Sequence, residues 1–417
     1  MPAESDFSLR KLKIAGVCLV GSIFASAMLV YGSIGLVILP MTEEFGWTRT
    51  QFSFATSALQ WCGALSVWVL GRLADRVGVR PVILVGTGVI GLATFAISLQ
   101  TSSLWQLYVC FGVLGAAGYS AIAYHKIIAA LFTVHRGKAL ALFGMESAVA
   151  IALIPLFANE LLERFGWRGM YQIFAAVILA LVPLLYFTLE EPGAAERSRT
   201  TGEPAKASAP SVLAGVSTRE AVRSRPFWLI VLAMALSFAP AMGVNTHLVA
   251  AIVDKGFEPS TGAAMLSLSM FVGLAGTLLA GYLNDRLPTT KVAAPFTLAA
   301  GAGFGILCVT AATFGGLPLL VAGAGALGFG SNAIRSMAPY FMTRFFGLRA
   351  FTEIAGMQTA VSAVVMGLTP PLIGLAYEST GSYTIAFVCL AVGQLAATAM
   401  FLGLGPYRFS AVAGRGP

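Results

Sequence analysis

Charge is what this sequence has least of. Of 417 residues, 11% are charged and 57% are hydrophobic, whereas soluble domains carry about 25% charged residues. So little charge cannot clothe two or three water-soluble domains in polar surface, which excludes a soluble protein and makes lipid the surrounding solvent. Histidine is nearly absent, with three copies. Cysteine is sparse as well: Cys18, Cys62, Cys110, Cys308 and Cys389 sit far apart inside apolar runs, with no C-x-x-C spacing. They read as packing residues rather than disulfide partners or metal ligands. There is no G-x-x-x-x-G-K-[ST], no H-E-x-x-H, no G-x-S-x-G and no acid pair at i, i+3 or i+4 within an apolar run. An ATPase, a hydrolase and a metalloenzyme therefore have no signature here, and neither a cofactor nor a metal is expected.

What the chain does have is long apolar runs, with a mean hydropathy of +0.83. A helix needs about 20 apolar residues to cross a hydrocarbon core of about 30 Å. Twelve stretches qualify, at 14–39, 51–70, 81–100, 105–132, 139–158, 168–189, 227–252, 262–282, 292–313, 316–342, 353–375 and 382–405. Helices satisfy their own backbone polar groups in lipid, and the short alternating segments of a barrel are missing. The predicted fold is an all-α integral membrane protein with 12 transmembrane helices. The start of the chain imitates a signal peptide, basic residues leading to Ala25-Ser26-Ala27, but its apolar run continues to Pro40, so the first span is expected to remain.

The net charge of +8 comes from 26 Lys and Arg against 18 Asp and Glu, and the cations gather in loops. The tails and even-numbered connections hold twenty of them, and the odd-numbered connections only Arg49, Arg164, Arg168 and Lys255. By the positive-inside rule both termini are cytoplasmic. The expected location is a bacterial inner (plasma) membrane.

The chain also repeats itself. Gly71-Arg72-Leu73-Ala74-Asp75-Arg76 returns 210 residues later as Gly281-Tyr282-Leu283-Asn284-Asp285-Arg286, and Gly115-Ala116-Ala117-Gly118 returns as Gly325-Ala326-Leu327-Gly328. The only long polar stretch separates the copies, giving an N-terminal six-helix bundle (1–189), a cytoplasmic linker (190–226) and a C-terminal six-helix bundle (227–417). Parallel repeats of this kind place a solute site between pseudo-symmetric halves near the bilayer midplane.

With its 12 spans, central loop and the GRLADRVGVR stretch from Gly71 to Arg80, the sequence resembles the major facilitator superfamily over nearly its whole length. Finer features resemble the monocarboxylate and oxalate/formate porter group: Glu44-Phe45-Gly46-Trp47-Thr48-Arg49, His135-Arg136-Gly137-Lys138-Ala139, and His247-Leu248-Val249 followed by Asp254-Lys255-Gly256. The resemblance implies transport of small organic anions. It further implies that Asp75, Arg72 and Arg76, with the weaker copy Asp285 and Arg286, form a cytoplasmic gate of breakable salt bridges. The group's charged residues in spans 1, 8 and 11 are missing, and residues 262–282 carry no charge.

Ionisable side chains at bilayer depth are costly and usually functional. Lys126, Arg335 and Glu146 each lie eight or nine residues inside a span, roughly 12 to 14 Å from its cytoplasmic end at the helical rise of about 1.5 Å per residue. Arg335 offers a planar fork to a carboxylate and Lys126 a point charge. Lys126 and Glu146 alternatively neutralise each other, which still leaves Arg335 without an acid at bilayer depth in its own half, since Glu353 lies near the cytoplasmic end of its span. Tyr119, Asn332, Gln358, His247, Asn245 and Tyr31 are further candidate substrate ligands, each with an alternative role in packing. Glu146 and His125 are the candidate proton-coupling groups. The predicted function is secondary active transport of mono- or dicarboxylates, by proton symport or anion exchange through alternating access. The alternative is export of a drug, siderophore or other amphipathic solute. Expected partners are the small organic anion, a proton or counter-anion and the bilayer, without nucleic acid, and the chain is expected to act as a monomer.

Overall fold

The computed structural model describes residues 9–24, 28–118, 120, 122–132, 136–189, 215–287, 289–311, 316–347 and 349–407. Within these, the side chains at 9–11, 68, 71, 75, 122, 125, 126, 129, 130, 136–142, 144–149, 151, 285 and 352 are not described.

The described residues are mostly helical, with no strand beyond an isolated bridge between Gly215 and Gly347. Among the described residues the apolar runs are helical: Leu9–Phe24 and Met28–Phe45, then Arg49–Val77, Val79–Ser98, Leu104–Gly118 with Ile122–Leu131, and Arg136–Thr188. After residue 215 come Arg225–Val253, Pro259–Arg286, Ala294–Val309, Gly316–Phe346, Phe351–Thr380 and Thr384–Leu402. Arg136–Thr188 holds two predicted spans and breaks between them at Gly166, whose φ of 66° and ψ of 174° suit glycine and stop the helix. Nine helices among the described residues are long and apolar enough to cross a membrane. The outer faces of the described helices are oily, those outside the nine included: Leu65 on Arg49–Val77 is 76% exposed, Trp105 on Leu104–Gly118 75% and Phe187 83%. Apolar exposure on that scale fits lipid and not water.

Two compact units emerge, Met1–Trp47 with Phe54–Ala205, and Thr48–Ser53 with Lys206–Pro417. The first contains an apolar cluster around Ile83, Tyr124, Ile127 and Leu185. The second is centred on Phe227, Ile334, Met337, Phe341 and Phe401.

The sequence repeat reappears in packing. Gly86 lies against Ser120, so close that an added Cβ would stand 2.4 Å from the serine Oγ. In the other copy, 210 residues on, Gly330 lies against Phe296, and a Cβ there would stand 2.1 Å from the Phe296 carbonyl oxygen. The small residue has changed sides while the helix contact is kept. Glycine is required at both places because only its missing side chain lets the backbones approach. The five cysteines are free thiols: Cys18 and Cys110 are buried, Cys62 and Cys308 half-buried and Cys389 exposed.

Candidate functional site

The helix Gly316–Phe346 turns Ile334, Met337 and Phe341 into the core and leaves Arg335 and Ser336 exposed. Arg335 makes no hydrogen bond or ion pair among the described residues. One turn earlier, Asn332 is half-buried; its Nδ2 donates to the Gly328 carbonyl at 3.4 Å and occupies the notch left by Gly273 on the neighbouring helix. Gln358 is buried and donates to Ser362 Oγ at 2.8 Å. The geometry thus leaves the cation open and spends both amides on packing contacts. Asn245 is buried on Arg225–Val253, and Tyr31 is half-buried on Met28–Phe45.

Tyr119 and the side chains of Lys126, His125, Glu146, Asp75 and Asp285 lie outside the described residues. Of the remaining gate residues, Arg72, Arg76 and Arg286 are exposed, and the Arg286 guanidinium lies 4.5 Å over the Tyr282 ring.

A second polar cluster, within the second unit, was only partly foreseen. Arg49 opens its helix and holds Asp254 in a fork, with Nη1 at 2.6 Å from one carboxylate oxygen and Nη2 at 3.1 Å from the other. The same Nη1 donates to Tyr383 Oη at 2.7 Å, while the guanidinium carbon lies 3.8 Å over the Tyr377 ring. Burial works against the Arg49 charge, but the bond to Asp254 and the neighbouring Tyr383 more than offset it and hold its pKa above the usual arginine range. Burial also pushes the Tyr383 phenol up, with Arg49 opposing, so it keeps its proton. Next door, the Thr50 backbone N–H donates to Glu378 Oε1 at 2.9 Å. Gly374 lies against this first turn, where a Cβ would stand 2.7 Å from Thr50 N.

His247 closes the cluster. It is 0% exposed. Its Nδ1 is 3.2 Å from Tyr383 Oη, and its Nε2 is 3.0 Å from the Pro370 carbonyl oxygen and 2.9 Å from Ser53 Oγ. The Arg49 guanidinium can only donate and the Pro370 carbonyl can only accept. A neutral ring with its proton on Nε2 satisfies every contact, because Tyr383 then donates to Nδ1 and Ser53, which donates to the Arg49 carbonyl at 2.6 Å, accepts from Nε2. The sequence held a hint: the stretches ending in Arg49 and running from His247 to Asp254 are two of the three whose character is subgroup-like. Tyr383 and Pro370 gave no signal.

The other end of the Glu44 to Arg49 stretch is held in the first unit. Glu44 accepts from Trp167 Nε1 at 2.8 Å and pairs with Arg168 at 2.5 Å, and Trp47 Nε1 donates to the Ser102 carbonyl at 3.1 Å.

A helical chain with lipid-suited outer faces, glycine-notched helix pairs repeated at a fixed offset and a few polar groups at depth defines a polytopic membrane transport protein. The comparisons agree. The chain belongs to the Major Facilitator Superfamily, whose family model matches residues 19–310; it is an integral membrane protein of a transporter family and not an enzyme. It resembles monocarboxylate transporter 13 of Bos taurus, 28% identical over 402 residues covering 93% of this chain and 89% of the relative. Monocarboxylate transporter 11 of Homo sapiens is 26% identical over 396 residues, 92% of this chain and 81% of the relative. Among solved structures, a bacterial homolog to the human lysosomal transporter Spinster, inward-facing and unoccupied, matches with a TM-score of 0.74 at 16% identity, over 96% of this chain and 97% of that one. The nucleoside transporter NupG matches with a TM-score of 0.75 at 13% identity, over 93% and 99%. At such identities the structures speak to the fold alone.

Proposed function

We propose that the chain is a secondary transporter of small organic anions, mono- or dicarboxylates, working by alternating access between an N-terminal bundle (1–189) and a C-terminal bundle (227–417). The observation that carries this reading is Arg335, an exposed guanidinium without a partner among the described residues, on a predicted membrane helix. A charge kept at depth without a counter-charge is costly unless a solute supplies one, and a carboxylate matches the planar fork of arginine. The names of the monocarboxylate transporter relatives support the same solute class.

In this reading Lys126 is the second cation, with Tyr119, Asn245 and Tyr31 around the solute. Glu146 and His125 exchange the coupling proton. Asp75, Arg72 and Arg76, with Asp285 and Arg286, gate the side rich in cations, which is the cytoplasmic one with both termini. One chain carries both halves, so the monomer is the working unit.

The test is uptake into proteoliposomes of labelled lactate, oxalate, acetate and an aromatic acid, with and without a pH gradient. Saturable uptake of at least one carboxylate supports the reading; transport of a neutral or cationic solute with no carboxylate uptake overturns it.

A further inference from the structure

The cluster around Arg49 joins residues 48–53 to three other elements of the second unit. Asp254 caps Arg225–Val253, Pro370, Tyr377 and Glu378 belong to Phe351–Thr380, and Tyr383 caps Thr384–Leu402. His247 is the buried titratable group at its centre, and its surroundings are suited to one protonation state. Its Nδ1 receives the Tyr383 proton and its Nε2–H is spent on Pro370 and Ser53.

A proton added at Nδ1 would face the Tyr383 hydroxyl hydrogen. Turning that hydrogen away leaves it with no acceptor in the bonds described above, while Tyr383 Oη would take donors from two cations at once, Arg49 and the imidazolium. The charged groups packed around the ring offer no relief. Asp254 is committed to Arg49 through both carboxylate oxygens, Glu378 accepts from Thr50 N, and Tyr377 lies under the guanidinium. An imidazolium here would be a buried charge without a counter-charge.

We propose that His247 is a proton-binding site that controls a latch: the ring is neutral while residues 48–53 are docked, and it takes a proton from water at Nδ1 when they part. Docking returns that proton to water before Tyr383 Oη–H can donate to Nδ1 again. A site that binds a proton only in the released state shifts the latch toward release as pH falls, by linkage. The cations place this latch on the non-cytoplasmic side, since Arg49 and Lys255 lie in odd-numbered connections. Its consequence for solute movement rests on the carboxylate-transporter reading; the latch itself does not.

The experiment needs no solute. Thr50 Oγ1 is sealed from solvent in the docked arrangement, whereas Ser379 is exposed at the end of Phe351–Thr380. The labelling rate of T50C by a membrane-impermeant maleimide, normalised to that of S379C to remove the pH dependence of thiol reactivity, is measured from about pH 5 to about pH 8 with wild type as the blank. The normalised rate is expected to rise roughly tenfold toward low pH. Adding His247→Gln should flatten the response, and adding Tyr383→Phe, which deletes only the bridging hydroxyl, should raise labelling at every pH. A response that persists in His247→Gln overturns the proposal, as does a parent protein with no response. If His247→Gln is not recovered as a monodisperse protein, a parent midpoint within the imidazole range supports the proposal and one outside it overturns it. Loss of carboxylate uptake with the labelling pattern intact would strike the solute reading alone.

Discussion

Arg49 and Asp254, 205 residues apart in sequence, meet as a two-pronged ion pair whose side chains are 14% and 28% exposed. That partial burial lifts the pair above an ordinary surface bridge, which contributes roughly 0 to 1 kcal/mol. Asp254→Asn keeps the shape and removes the charge, and it should destabilise the protein by about 1.5 to 3 kcal/mol, the range for a hydrogen bond to a charged group. Arg49→Lys should lose a similar amount, because an ammonium cannot hold both Asp254 oxygens and Tyr383 in the same plane. Thermal unfolding in detergent reads both, and unchanged midpoints would remove the pair from the account.

Gly328 presses against Ser269 so closely that a Cβ would stand 1.8 Å from its carbonyl oxygen. Gly328→Ala should therefore force apart the helices Pro259–Arg286 and Gly316–Phe346, at a cost of about 1 to 3 kcal/mol. Gly305, with nothing within 4 Å of its added Cβ, is the control. Gly305→Ala should be neutral or slightly stabilising by helix propensity. Equal unfolding temperatures for the two variants would contradict the close packing.

The helices were legible and the ion-paired cluster was not. A run of about 20 apolar residues can do little else in lipid than form a helix, so the described parts of the runs are helical, although nine helices rather than twelve are long and apolar enough to cross among the described residues. The helix predicted at 51–70 extends over Arg49–Val77, and that predicted at 262–282 over Pro259–Arg286, since polar flanks remain helical beyond the hydrocarbon. That Arg335 has no partner among the described residues accords with the absence of an acid at bilayer depth in its half. Pairings across 205 and 334 residues, such as Arg49 with Asp254 and with Tyr383, leave no periodic trace in a single sequence. Asn332 illustrates the same limit: its position at depth suggested a pocket, and only the partner helix reveals Gly273 as the notch it fills.

Proton coupling and latch release are separable. Glu146→Gln should abolish accumulation driven by a pH gradient, because an amide cannot carry the proton, while the pH response of labelling at position 50 survives. Gradient-driven accumulation equal to wild type would exclude Glu146 as the coupling group.

Orientation is tested by a pair of single cysteines. Ser103→Cys, in an odd-numbered connection, should react with an impermeant reagent in intact cells. Ser208→Cys, in the cation-rich linker, should react only after permeabilisation. The reverse pattern would invert the topology and put the Arg49 latch on the cytoplasmic side.

The central claim is that Arg335 waits for a carboxylate, and equilibrium binding of a labelled transported carboxylate to the purified protein tests it most directly. The account predicts that Arg335→Ala weakens binding by roughly 10- to 100-fold, the equivalent of about 1.5 to 3 kcal/mol for a charge-assisted hydrogen bond. Arg335→Lys should recover part of that loss, and Arg349→Ala, an exposed loop arginine, should bind as wild type does. Wild-type affinity in Arg335→Ala, or equal losses in Arg335→Ala and Arg349→Ala, would contradict it.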